Sequence, residues 1–130
     1  MTITIKFTDN IPHKYNSFED ILKLNDYNDI IYICGHNNNL SSLPELPNSL
    51  ELLLCDHNNL SSLPKLPNSL TQLYCDYNCL SSLPELPNSL TNLNYIYNPI
   101  YIYISNNILI VTTKYIMNIK KILNGHFLIK

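Results

Sequence analysis

The stretch SSLPELPNSL, which runs from Ser41 to Leu50, decides the fold of this chain because it recurs at a fixed spacing. It returns as SSLPKLPNSL at Ser61–Leu70 and without change at Ser81–Leu90. The residues between the copies differ: ELLLCDHNNL is followed by TQLYCDYNCL and then by TNLNYIYNPI. Self-similarity at a period of twenty residues is typical of a solenoid, in which each repeat packs against its neighbours.

Each unit follows the pattern LxxLxxxxNxLxxLPxLPxS, and the register holds without slippage over residues 30–100. This pattern resembles leucine-rich repeats, and more narrowly their short LP-rich subtype of twenty residues. That subtype occurs in repeat proteins of giant DNA viruses and amoebae and in the repeat region of bacterial type III effectors. The resemblance implies a leucine-rich repeat solenoid, of the α/β class by family, with parallel strands on its concave face.

The physical interpretation of each unit agrees with that resemblance. Side chains alternate between the two faces of a strand, so Leu53 and Cys55 are predicted to point into the core, with Leu52 and Leu54 pointing outward. Proline fixes φ at about −65° and donates no backbone hydrogen bond, which favours an extended return path over a helix. We therefore expect a mostly β solenoid with four short parallel strands and an extended, polyproline-like convex side.

One asparagine recurs at the same position of every unit, at Asn38, Asn58, Asn78 and Asn98. It follows the predicted strand, where the chain must turn and where buried backbone groups need partners. An amide side chain offers both a donor and an acceptor. The four residues are therefore predicted to form a structural ladder between neighbouring turns. Cys55 and Cys75 share an inward position and are predicted to be core thiols.

The ends of a solenoid need caps, which divides the chain into three predicted regions. Residues 1–29 form the predicted N-terminal cap, with a strand over Thr2–Phe7 and a short helix that begins after Ser17. Residues 30–100 contain the four repeats. Residues 101–130 form the predicted C-terminal cap, which consists of strands followed by a helix.

Composition and charge exclude several classes of function. The net charge is −2 and all eight basic residues are lysine, without a basic patch, so a nucleic-acid partner is not expected. No run reaches the roughly 18 apolar residues of a membrane span, and the start does not resemble a signal peptide. The chain is predicted to be intracellular, in the cytoplasm, or in the host cytoplasm if it is viral. Abundant Asn and Ile without any Ala indicate an AT-rich genome.

The sequence contains no phosphate-binding loop, HExxH motif or nucleophile elbow. No Cys follows Cys79, as the catalytic Cys of the ligase domain in the bacterial relatives would require. We therefore predict a protein that is not an enzyme and has no cofactor. Cys34, His36, Asp56 and His57 suit zinc chemically. Side chains along flat strands rarely converge on a tetrahedron, so no metal site is predicted, and a His36–Asp56 pairing is expected instead.

The outward face of the predicted sheet is the candidate partner-binding site, because tyrosines are enriched at interaction hot spots and exposed leucines form apolar patches. Its acidic residues would favour a partner that carries Lys or Arg. The predicted contact residues are Tyr32, His36, Leu52, Leu54, Asp56, His57, Gln72, Tyr74, Asp76, Tyr77, Asn94, Ile96 and Tyr97.

The favoured function is a non-catalytic module that binds a protein or peptide on this face, as a viral protein acting on host proteins would. Two alternatives stay open. The first is an adaptor or inhibitor that acts in trans in host ubiquitin signalling, which only the resemblance implies. The second is a self-associating repeat protein, such as a homodimer, with little selected function.

Overall fold

The computed structural model describes residues 1–99. Their strands form one continuous sheet, and they contain little helix. The predicted C-terminal cap, residues 101–130, lies outside the described residues. No helix within residues 1–99 has the length and apolar character needed to cross a membrane. The elements are β1 (Ile3–Lys6), β2 (Pro12–Tyr15), α1 (Phe18–Leu22), a 3-10 helix (Tyr27–Asp29), β3 (Tyr32–Cys34), β4 (Leu52–Leu54), β5 (Gln72–Tyr74) and β6 (Asn92–Asn94).

The sheet has the order β2-β1-β3-β4-β5-β6. Strands β3 to β6 are parallel and their register advances by one repeat per strand, so Ile33 pairs with Leu53, Leu53 with Leu73, and Leu73 with Leu93. Each repeat therefore adds one short strand to the stack. This mostly parallel sheet is consistent with the predicted leucine-rich repeat solenoid.

Two antiparallel strands, β1 and β2, extend the sheet beyond the four parallel repeat strands, so the described sheet has six strands. β1 lies within the segment Thr2–Phe7, whose alternation predicts a strand. β2 was not predicted, because it begins at Pro12 and carries no apolar alternation. A proline is tolerated there since β2 lies at the edge of the sheet.

A short helix, α1, follows the hairpin, and Ser17 is its N-cap. The Ser17 hydroxyl oxygen accepts a hydrogen bond from the backbone N–H of Asp20 at 3.3 Å and donates one to the Asp20 carboxylate at 2.9 Å. Ile21 is the buried residue of this helix and joins the same core as the repeats. The N-terminal segment thus covers the first coil with apolar side chains.

The core is a continuous column of apolar side chains supplied by both halves of each coil. Leu53 and Leu73 enter it from the strands, and Leu66 enters it from the proline-rich half. Cys55 and Cys75 are also fully buried there. Burial of an apolar side chain of this size contributes about 1.5–3 kcal/mol, which makes the column the main stabilising feature.

The proline-rich half of each coil contains neither helix nor strand, and in two coils the serine that ends it bonds to the coil before. The backbone N–H of Leu70 donates to the Pro67 carbonyl at 3.1 Å and closes the turn into the next strand. The Ser69 hydroxyl lies 2.7 Å from the carbonyl oxygens of both Asn48 and Leu50. Leu50 and Leu90 close their turns with the same backbone bond, and the Ser89 hydroxyl donates to the Leu70 carbonyl as that of Ser69 does to Leu50.

Candidate functional site

The site begins with the turns that end each strand, and Asn58 shows how one coil is joined to the next. Its side-chain oxygen accepts hydrogen bonds from the backbone N–H groups of Asn38 at 3.0 Å and Leu40 at 2.9 Å. Its amide nitrogen donates to the carbonyls of Gly35 at 2.8 Å and Cys55 at 3.0 Å. Asn58 thus bonds to its own turn and to the turn of the preceding coil.

The other three ladder residues make related bonds. The side-chain oxygens of Asn78 and Asn98 each accept from a backbone N–H of the preceding coil at 2.9 Å. Asn38, which belongs to the first coil, bonds instead to the N-terminal segment: it accepts from the Thr2 N–H at 2.7 Å and donates to the Thr2 carbonyl at 2.9 Å. These bonds fix the turns that carry the candidate contact residues.

The residue before each ladder asparagine has a left-handed backbone, with φ of 51° at Asn37, 54° at His57, 51° at Tyr77 and 55° at Tyr97. Asparagine adopts this conformation readily, but bulky residues do so at a cost of roughly 1–2 kcal/mol. The sequence therefore places three rings at positions where the backbone alone would favour Asn or Gly.

These three rings form a stack, which we call the ring stack (His57, Tyr77 and Tyr97). The centroids of His57 and Tyr77 lie 4.3 Å apart at an interplanar angle of 22°, and those of Tyr77 and Tyr97 lie 4.3 Å apart at 25°. Each such pair contributes about 0.5–1.5 kcal/mol beyond the area that it buries. Stacking therefore offsets part of the cost of the left-handed turns.

Beside the ring stack, His36 and His57 both approach the same carboxylate oxygen; we call these three residues the His–Asp–His cluster (His36, Asp56 and His57). Asp56 Oδ2 lies 2.5 Å from His36 Nδ1 and 3.1 Å from His57 Nδ1. The two imidazoles meet edge to face, with centroids 5.2 Å apart. The pairing of His36 with Asp56 was expected from strand register; the approach of His57 to the same oxygen was not.

The two aspartates of this region differ in their electrostatics. Partial burial alone would raise the pKa of Asp56, but hydrogen bonds to His36 and His57 outweigh burial and lower that pKa below its ordinary value. Burial raises the pKa of Asp76, and the negative charge of Asp56 adds to the rise. A lysine or arginine of a partner would have to compete with two imidazoles for Asp56, and would find Asp76 only 9% exposed.

The structure places the predicted contact residues at three levels of exposure. The exposed ones are His36, His57, Tyr77, Ile96 and Tyr97. The half-buried ones are Tyr32, Leu52, Leu54, Asp56, Gln72, Tyr74 and Asn94. Asp76 is buried. The parallel register sets Leu54 directly beside Tyr74 on this face.

Strand β1 adds a residue that sequence reasoning missed. Lys6 Nζ lies 4.9 Å from the centroid of the Tyr32 ring, in the geometry of a cation–π contact. Burial, followed by the nearby Cys34 thiol, raises the pKa of Tyr32 to about 12. The antiparallel pairing of β1 with β3 sets Lys6 opposite Tyr32, and no spacing in the repeat pattern reports that pairing.

Together, the sheet and its asparagine-bonded turns form a solenoid. Each coil contributes one short strand and, in the turn that follows it, one left-handed residue: Asn37, His57, Tyr77 or Tyr97. No protein-family model and no curated protein matches the chain. Among solved structures, one match is YopM, a leucine-rich effector protein from Yersinia pestis, with 48% identity and a TM-score of 0.47. The match covers 48% of this chain and 18% of the YopM chain.

Proposed function

We propose that this chain is a non-catalytic protein–protein interaction module of the leucine-rich repeat type, and that it binds a protein or peptide on the outward face of β3 to β6. The ring stack is the observation that carries the proposal. Tyr77 is 44% exposed and Tyr97 is 60% exposed, although both occupy strained turn positions. Tyrosines held in this way offer a partner a large contact area with little loss of side-chain entropy.

The neighbouring surface supports the same proposal. Leu54 and Tyr74 lie side by side on the strands, and Ile96, which is 37% exposed, precedes Tyr97 at the end of the stack. Apolar side chains grouped on an exposed face are typical of interaction sites. Parallel strands are spaced about 4.8 Å apart, so the four repeat strands are wide enough for a peptide or a single loop.

We propose that the partner is a host protein. The chain itself would then be a viral protein that acts in the host cytoplasm. Resemblance to repeat proteins of giant viruses and to bacterial effectors supports this choice. The two aspartates of this face offer little to a cationic partner, because Asp56 is hydrogen-bonded to two histidines and Asp76 is buried. We therefore expect the partner to be recognised by apolar and aromatic contacts more than by charge.

The test is capture of a partner from amoebal lysate on the immobilised chain, followed by identification of the partner and measurement of its affinity in purified form. Replacing both Tyr74 and Tyr77 with Ala is expected to weaken binding at least tenfold, since hot-spot residues contribute about 2 kcal/mol or more. Circular dichroism establishes that the variant remains folded.

The matched control is Lys65→Ala, in the proline-rich half of a coil, where the side chain is exposed. This variant should bind the partner as the unaltered chain does. If the double tyrosine variant retains full affinity, or if Lys65→Ala loses as much, the outward face of the sheet is not the binding surface.

A further inference from the structure

We propose that the His–Asp–His cluster binds a divalent transition-metal ion of the zinc class. The three candidate ligand atoms, one from each residue, all lie within 4.8 Å of one another. Two imidazole nitrogens and one carboxylate oxygen are a donor set that such ions take in proteins, with a further position left for water or another ligand. The cluster lies on the face that we propose for partner binding and shares His57 with the ring stack. Ion binding nevertheless requires no partner, so it can be tested on the chain alone.

The distances in the cluster are close to those that a bound ion requires. Ligand atoms about 2.0–2.1 Å from a tetrahedral ion lie roughly 3.3 Å from each other. Asp56 Oδ2 is 2.5 Å from His36 Nδ1 and 3.1 Å from His57 Nδ1, and no two ligand atoms of the cluster are more than 4.8 Å apart. Each separation therefore has to change by no more than about 1.5 Å. The imidazoles are 49% and 46% exposed, which leaves room for rotation about their side-chain bonds and for an ion to enter from solvent.

The proton changes that accompany binding are also feasible. Without an ion, a protonated Nδ1 of either histidine donates to Asp56 Oδ2. With an ion, each Nδ1 must present its lone pair, so the ring carries its proton on Nε2 instead. Because both rings are exposed, water can accept a hydrogen bond from Nε2, and neutral imidazoles change tautomer without net loss of a proton. The ion then takes over the interaction with the carboxylate charge.

The surrounding turns hold the cluster in place. The His57 ring lies between the rings of His36 and Tyr77, in T-shaped contact with the first and stacked on the second. The backbone N–H of Asn37 donates to the Asp56 carbonyl at 3.1 Å, and that of His57 donates to the Asp76 carbonyl at 3.0 Å. Contacts of this outer kind orient ligands and strengthen metal binding.

The donor set determines which type of ion is expected, and the sequence of the other coils determines the number of sites. Calcium and magnesium take oxygen ligands, whereas imidazole suits zinc and its neighbours in the periodic table. The two coils that follow carry Asp76-Tyr77 and Ile96-Tyr97 at the corresponding positions. Within residues 1–99 we therefore expect one site per chain.

The experiment is isothermal titration of the full chain with Zn²⁺, in a Cys79→Ser background that removes an exposed thiol. One ion per chain is expected to bind, and His36→Gln or His57→Gln should each weaken binding at least tenfold. His13→Gln, which alters a histidine outside the cluster, should leave affinity unchanged. Mg²⁺ should not compete. Co²⁺ provides a second readout, because its visible absorption spectrum reports nitrogen and oxygen ligands.

A measurement on the unaltered chain keeps the test decisive if a variant misfolds. Saturating Zn²⁺ should protect His36 and His57 from diethyl pyrocarbonate and leave His13 reactive, as peptide mass spectrometry would report. Absence of one-site binding, or equal affinity in a folded variant with both cluster histidines replaced by Gln, would overturn the proposal. Equal reactivity of His36 and His57 with and without Zn²⁺ would do the same.

Discussion

Asn58 holds two coils together through a single side chain, and its removal should be costly. In Asn58→Ala, the buried N–H of Leu40 and the carbonyl of Gly35 lose their side-chain partner. A buried polar group without a partner costs about 1–3 kcal/mol, so we expect the free energy of unfolding to fall by roughly 2–4 kcal/mol. Urea denaturation followed by circular dichroism measures this change.

Asn59→Ala is the matched control, since Asn59 is the next residue along the chain and its side chain is exposed. A surface substitution of this kind changes stability by no more than about 0.5 kcal/mol. Equal stability of Asn58→Ala and Asn59→Ala would mean that side-chain bonds between turns do not hold the coils together.

The two core thiols, Cys55 and Cys75, are expected to make the free energy of unfolding depend on pH in the alkaline range. Burial raises the pKa of Cys75 to about 12 and raises that of Cys55 as well, with neighbouring groups adding to both shifts. An unfolded thiol ionises at about pH 8.5, so above that pH the unfolded state loses protons that the folded state keeps. Stability is therefore full below about pH 8.5 and falls as pH rises, by up to about 1.4 kcal/mol per pH unit for each thiol.

Urea denaturation under reducing conditions between pH 8 and 9.5 tests this prediction, because the range lies below the ionisation of ordinary tyrosines at about pH 10. The variant with Cys55 and Cys75 both replaced by Val should lose less stability over this range. Cys79→Val, which alters an exposed thiol, should follow the unaltered chain. Parallel curves for all three proteins would refute the assignment of the pH dependence to core thiols.

The turn element after each strand combines backbone strain with ring stacking, and substitutions at Tyr77 separate the two. Tyr77→Ala and Tyr77→Gly both remove the ring, but only Gly accepts a φ of 51° without strain. We therefore expect Tyr77→Gly to be more stable than Tyr77→Ala by about 1 kcal/mol, although both are less stable than the unaltered chain.

Tyr74, on strand β5, provides the comparison, because its backbone is extended and not left-handed. There the order should reverse, with Ala more stable than Gly by about 0.5–1 kcal/mol, since glycine weakens a strand. Denaturation midpoints of the four variants measure both differences. If the Ala variant is the more stable one at both positions, the left-handed turn carries no strain.

The elements differ in how well the sequence predicts them, and the physical reasons are specific. A strict twenty-residue period predicts one strand per coil, because only one register lets every leucine reach a common core. β2 has no such signal, because it lies outside the repeat and two of its four residues, Pro12 and Lys14, are exposed at the edge of the sheet. Pairing of β1 with β3 is antiparallel and lies outside the repeat, so the contact between Lys6 and Tyr32 is also hidden.

Spacing predicts part of the candidate site, because residues one period apart, such as His36 and Asp56 or His57 and Tyr77, lie side by side. The approach of His57 to Asp56 depends on a backbone angle and was not predicted. His36 and His57 are separated along the chain by a whole coil, and an ideal flat strand would keep their side chains apart. The left-handed φ of His57 brings its ring beside Asp56 and over Tyr77. A tyrosine at a left-handed position contradicts its usual preference. The recurring asparagine therefore indicates the turn, but nothing in the local sequence indicates its left-handed backbone angle.

At the scale of the whole molecule, neighbouring coils within residues 1–99 contact each other through the same atoms at successive interfaces. The carbonyls that receive the bonds of Asn78 and Asn98 lie one coil earlier, and the hydroxyls of Ser69 and Ser89 bond in the same direction. In such an array stability is close to a sum over coils and their interfaces. A coil should therefore be removable as a unit.

Deletion of residues 61–80 tests this property, because it joins Leu60 to Ser81 and recreates a junction that the chain already contains. β4 should then pair directly with β6, with Leu53 beside Leu93 and the ring of His57 beside that of Tyr97. We expect a folded protein with a lower free energy of unfolding and a smaller urea m-value, since m scales with the surface that unfolding exposes.

Deletion of residues 61–75 is the control. It removes less of the chain but puts the ladder asparagine out of register, so buried turns lose their partners. If the shorter deletion is the more stable of the two, the number of residues retained matters more than the register, and the coil is not the structural unit of this chain.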